Sequence, residues 1–129
     1  QHRHYSDCLM IEELISRVFY ARNVAHFEHW TANGVGAFAR HQALGSFYED
    51  VIEALDSLVE AYQGAFELIG PVRAPKTKAS EILLILTEDA AWIEKNHEAI
   101  CKGNRAVANL VDGVTETYLT TTYKLRNLM

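Results

Sequence analysis

Leu44, Phe47, Val51, Leu55, Leu58 and Tyr62 follow one another at three-and-four spacing without a break. That periodicity constrains the chain more than any other feature. Apolar side chains three or four residues apart share one face of an α-helix, whereas a half-buried strand alternates every second residue. The helical spacing recurs at Ile11, Leu14, Ile15, Val18 and Phe19, again at Ile82, Leu83, Ile85, Leu86, Ala90 and Ile93, and finally at Val107, Leu110, Val111, Val114, Tyr118 and Leu125. Strand patterns are almost absent, so the chain reads as all-α.

The breaks between the stripes set the topology. Ser6-Asp7 caps a first helix running to about residue 32, which Asn33-Gly34-Val35-Gly36 stops because glycine and asparagine tolerate positive φ. A second helix spans about 39–69 and ends at Gly70-Pro71. The stretch from Val72 to Lys76, with Pro75, is the one long connector. Thr77 or Ser80 caps a third helix that reaches about residue 101. Lys102-Gly103-Asn104 then supplies a cation, a glycine terminator and a cap for a fourth helix ending near residue 128. Short, long and short connections predict one domain, 1–129: an antiparallel four-helix bundle with one crossover, which is ferritin-like connectivity.

Composition narrows the function classes. With 49% hydrophobic residues and two prolines, the chain buries a core and is not disordered. No apolar run is long enough for a membrane span. A net charge of −5 and a pI near 5.6 do not suit wrapping a phosphate backbone, so DNA binding is not supported. Cys8 and Cys101 form no disulfide framework and fit a reducing, cytoplasmic compartment or simply serve as small apolar fillers. The opening Gln1-His2-Arg3-His4 is polar and shows no signal peptide, and a chain that begins at Gln1 leaves room for a preceding tail.

The chemistry-bearing residues cluster on the first two helices. His26 and His29 are three apart and share a face. His29 falls near the C-terminal end of the buried stripe, and His41 lies just across the glycine loop, so the hairpin brings His29 and His41 together. Asp56 and Glu60 are four apart, one position off the core stripe, on an edge of the bundle. Carboxylate oxygens combined with imidazole nitrogens suit iron, with zinc or manganese as alternatives. A competing set is Glu94-Lys95-Asn96-His97, a Glu-x-x-His as used inside di-iron bundles, but the chain has no second copy.

From Ala25 to Glu60 the chain resembles the Dps family of mini-ferritins. The likeness rests on His29-Trp30, on His41 twelve residues after His29, and on Asp56-x-x-x-Glu60 fifteen residues beyond that. The segment from Asn104 to Met129, including Lys124-Leu125-Arg126, is similar to that family's last helix. The resemblance implies a homododecameric shell that oxidises Fe²⁺ with hydrogen peroxide and stores the ferric product. It also implies an intersubunit site, with His29 and His41 from one subunit and Asp56 and Glu60 from its two-fold mate. His26 would be a further donor, and Trp30 an oxidisable aromatic beside the iron. Where the family has an aspartate one turn after the second histidine, this chain has Gly45, and His26 or Glu28 is left to substitute. The family's lysine-rich tail is also missing. Two function classes follow: a ferroxidase and iron-storage subunit, or a structural shell or virus-associated particle whose metal site has degenerated.

Overall fold

The computed structural model describes residues 5–74 and 81–129. They form five helices: α1 (Tyr5–Thr31), α2 (Ala37–Ala65), α3 (Ile82–Lys95), α4 (His97–Cys101) and α5 (Arg105–Asn127). No strand occurs among the described residues. No helix among them is long and apolar enough to cross a membrane.

The periodic stripes become the core. Ile11, Leu14 and Val18 of α1 pack with Leu44, Phe47, Val51, Leu55 and Leu58 of α2, with Ile82, Leu86 and Ile93 of α3, and with Val107, Val111 and Val114 of α5. Truncating any one of the large members to alanine would cost about 2–5 kcal/mol. Phe19, expected in the α1 stripe, is 38% exposed. It lies one residue, about 100° around the helix, past Val18 and faces away from the seam.

Neighbour relations are simple. α1 packs on α2, α3 and α4; α5 packs on α2, α3 and α4; and α3 adjoins α4. Among the described residues the backbones of α1 and α5 do not approach each other closely, nor do those of α2 and α3; these pairs face each other only across the shared core. The chain from α2 to α3 therefore joins two elements that are not adjacent, which is where the one long connector was expected.

Several boundaries differ from the sequence reading. α1 already contains Ser6 and Asp7, the expected cap. α2 stops at Ala65, short of residue 69. Phe66 leaves helical geometry at φ −122° and ψ −85°, and the Gln63 side chain accepts the Ile69 N–H at 3.2 Å in place of a helical carbonyl. The Thr77 and Ser80 caps lie outside the described residues. The expected third helix divides into α3 and α4 at Asn96, whose Nδ2 donates to Trp92 O at 2.8 Å. Asparagine competes in this way with helical backbone bonding.

The expected Asn104 cap is present, its side chain accepting the Val107 N–H at 3.0 Å. Gly34, Gly36 and Gly103 all have positive φ, as their loops require. Lys102 also adopts a left-handed conformation (φ 52°), and its Nζ donates to Tyr62 Oη at 3.0 Å.

Two carboxylates tie the elements together. Glu28 of α1 pairs with Arg40 of α2 and accepts the Ile82 N–H, the first of α3, at 3.2 Å. It thus caps α3 from another helix. Asp89 of α3 is buried and accepts from Tyr118 of α5 at 2.8 Å and from Arg17 of α1 at 3.0 Å. The Arg17 guanidinium lies 4.7 Å from the centre of the Trp92 ring, and its Nε is 3.0 Å from Glu13 without hydrogen-bond alignment. Burial raises the Asp89 pKa to about 6, against the lowering effect of the Tyr118 and Arg17 hydrogen bonds.

Candidate metal centre

The tight turn between α1 and α2 sets His29 opposite His41. Their rings stack with centroids 3.6 Å apart and planes inclined by 19°. The exchange is reciprocal: His29 Nδ1 donates to the backbone carbonyl of His41 at 2.7 Å, and His41 Nδ1 donates to that of His29 at 2.9 Å. A carbonyl can only accept, so each Nδ1 carries its proton. In the neutral rings each Nε2 is then left with a lone pair. Metal-binding histidines are usually held this way, the second nitrogen donating to a carbonyl or carboxylate that fixes tautomer and ring orientation.

Gly45 lies directly under the His29 ring. A Cβ built there would stand 3.1 Å from His29 Cε1 and 3.3 Å from His29 Nδ1. A side chain at this position would push into the imidazole, so the glycine is the surface on which His29 rests.

The proposed substitutes for a carboxylate at 45 are otherwise engaged. Glu28 is committed to Arg40 and to the start of α3. His26 stacks on Tyr48 at 4.0 Å and leans on Trp30 at 4.4 Å, with His29 6.4 Å away. Partial burial, then the charge of Arg22, then His29 pull its pKa below the ordinary imidazole value.

Asp56 and Glu60 are both exposed on α2. From His41 to Asp56 is fifteen residues of helix, about 22 Å, so one chain does not bring these acids to its own histidines. Among the described residues, no three histidine, cysteine, aspartate or glutamate side chains converge on a point that could hold a metal ion. Two members of the expected constellation meet, and the other two stand apart on the same helix.

The Glu-x-x-His alternative dissolves. Asn96 breaks the helix between Glu94 and His97, and His97 Nε2 bonds Asp112 at 2.8 Å. Cys101, 3.8 Å from both ring nitrogens of His97, is buried, and burial lifts its thiol pKa to about 11, with Asp112 and Glu98 adding to the effect. That is an inert thiol rather than a nucleophile or ligand.

Two features of the site escaped the sequence reading. Tyr48 touches both His26 and His29, with ring centroids 4.0 and 5.3 Å away. It is seven residues past His41, nearly two turns, and that spacing was the available signal. The contact of Gly45 with His29 had no signal in spacing or composition.

Residues 29–125 match the model of a family described as a family of unknown function (DUF5856), and the chain belongs to that family. Neither a search of curated proteins nor one of solved structures returned a match.

Proposed function

We propose that this member of the family is a ferritin-like, Dps-like subunit that takes Fe²⁺ as substrate between two copies of itself and oxidises it with hydrogen peroxide. The observation that carries this reading is the crossed His29–His41 exchange, which fixes the orientation of two imidazoles and, when the rings are neutral, leaves each Nε2 lone pair to bind a metal. Two nitrogens do not complete a site for iron. Asp56 and Glu60, exposed on α2, supply the hard oxygens when a second copy lies antiparallel along that helix.

The helix contacts support the ferritin-like part of the reading. If α3 and α4 count as one interrupted leg, the legs form a closed ring, α1–α2–α5–α3/α4, with the long connector crossing the diagonal. That arrangement supports reading the chain as a four-helix bundle with one crossover. In the reaction each Fe²⁺ gives up one electron. One peroxide accepts two electrons and two protons as its O–O bond breaks, leaving two waters.

Ferrous iron plus peroxide should give a ferric absorbance in the parent and none in Asp56→Ala/Glu60→Ala. Equal absorbance in the two proteins would refute the assignment of the carboxylates. Light scattering should report a particle of about twelve 14.6 kDa chains, and a monomer would remove the intersubunit site.

Gly45 favours a second reading, a shell-forming subunit without oxidation chemistry, because the chain lacks a carboxylate beside the histidines. An assembled particle that leaves iron unoxidised would establish it.

A further inference from the structure

The rings around the histidine pair form a continuous ladder that metal binding does not require. Exposed Trp30 lies 4.4 Å from His26, His26 stacks on Tyr48 at 4.0 Å, Tyr48 meets His29 edge-on at 5.3 Å, and His29 stacks on His41 at 3.6 Å. All are centroid distances between rings in contact. Two members, the indole and the phenol, lose a single electron readily, while neutral imidazole does so with much more difficulty. The order along the ladder is therefore an oxidisable ring at the surface, an imidazole bridge, a second oxidisable ring, and then the histidine pair.

We infer that Tyr48 is an electron relay between the His29–His41 pair and the protein surface at Trp30, with His26 as the bridging contact. When an oxidant of the peroxide class acts at the histidine pair, Tyr48 supplies one electron. Its O–H bond breaks and the proton leaves to solvent, which the half-buried side chain can reach. The phenoxyl is then reduced by one electron that a soluble one-electron reductant, ferrous ion or an enediol, delivers by way of Trp30, whose indole ends unchanged, and the phenol regains a proton. Two such electrons with two protons reduce one peroxide to two waters. The inference rests on the proposed chemistry only for the identity of the oxidant, because the conduction path is a property of the rings.

A metal-free test separates the two. A photo-oxidised ruthenium tris-bipyridine complex in solution can remove an electron from exposed Trp30, and transient absorption then follows the indole radical. In the parent the indole signal should give way to a phenoxyl signal. In Tyr48→Phe, which keeps the stacked ring but removes the phenolic hydroxyl, the phenoxyl yield should fall by most of its amplitude and the indole radical should persist. His26→Leu should slow the transfer by an order of magnitude or more, and Tyr123→Phe, an exposed tyrosine outside the ladder, should leave it unchanged. Circular dichroism establishes that each variant is folded. Unchanged phenoxyl yield in folded Tyr48→Phe, or no loss of the early indole signal in Trp30→Phe, would overturn the relay. Because no iron is present, neither result bears on whether the site oxidises Fe²⁺.

Discussion

Tyr118→Phe should destabilise the protein by an amount that depends on pH, and the buried Asp89 network sets the sign. Tyr118 is fully buried and donates to Asp89 Oδ2 at 2.8 Å, while Arg17 donates to the other oxygen at 3.0 Å. Asp89 titrates at about 6 in the folded protein, above its ordinary 3.8. Between those values the folded chain holds a proton that the unfolded chain releases. Its stability contribution is present at low pH and falls as pH rises through that window, then levels off above it. A rise of that size corresponds to about 3 kcal/mol lost across the window.

Removing the phenol O–H deletes a hydrogen bond to a neutral carboxyl at pH 4.5 and to a carboxylate at pH 8. The first is worth about 1 kcal/mol, and the second about 1.5–3 kcal/mol together with the cost of an unpaired buried oxygen. Urea denaturation of parent and variant should therefore give a difference of about 1 kcal/mol at the lower pH and about 3 kcal/mol at the higher one. The Asp89 carboxyl of the variant should also titrate above the parent value, readable from its carbon-13 chemical shift. A difference that stays constant between the two pH values would refute the idea that Asp89 and Tyr118 are coupled through a charge.

Gly45→Ala adds a methyl group at 3.1 Å from His29. Helix propensity gains about 1 kcal/mol and strain on the imidazole–carbonyl bonds loses a similar amount. Stability should change little while the imidazole nitrogen signals of His29 and His41 move, and a full gain with unmoved signals would contradict the contact. Glu28→Ala removes the Arg40 pairing and the cap on Ile82, costing about 2–3 kcal/mol, and hydrogen exchange should quicken first at the start of α3. Asn104→Ala should cost about 1 kcal/mol in chemical denaturation, with Asn104→Asp restoring most of it.

The helices were legible because burial imposes a period, and the period is written in single residues such as Leu44, Phe47 and Val51. Their ends were less legible, because competing side chains decide them. Gln63 takes the Ile69 N–H and α2 stops early. Asn96 turns its amide onto Trp92 O and splits the third stripe. Glu28 caps α3 across 54 residues of sequence, which no local pattern could reveal. Asn104 was predictable as a cap because its partner is three residues away.

The candidate site divides along the same line. That His29 meets His41 follows from the length of a glycine turn, and the structure puts their rings 3.6 Å apart. That each ring gives its Nδ1 proton to the other residue's carbonyl cannot be read from residue types, because a backbone acceptor has no letter in the sequence. Gly45 looks, by resemblance, like the loss of a ligand. In three dimensions it is the only residue type whose backbone lets His29 lie where it does without a shift. An aspartate there would meet the His29 ring with its own Cβ before its carboxylate could reach an ion. A carboxylate at 45 would therefore require the His29 ring to give by a few tenths of an ångström. With glycine at 45 no carboxylate stands beside the pair, and Asp56 and Glu60, about 22 and 28 Å along α2 from His41, are out of reach of their own chain's histidines. The glycine thus makes the oxidation reading depend more heavily on assembly: if these histidines bind iron, they do so with a neighbour.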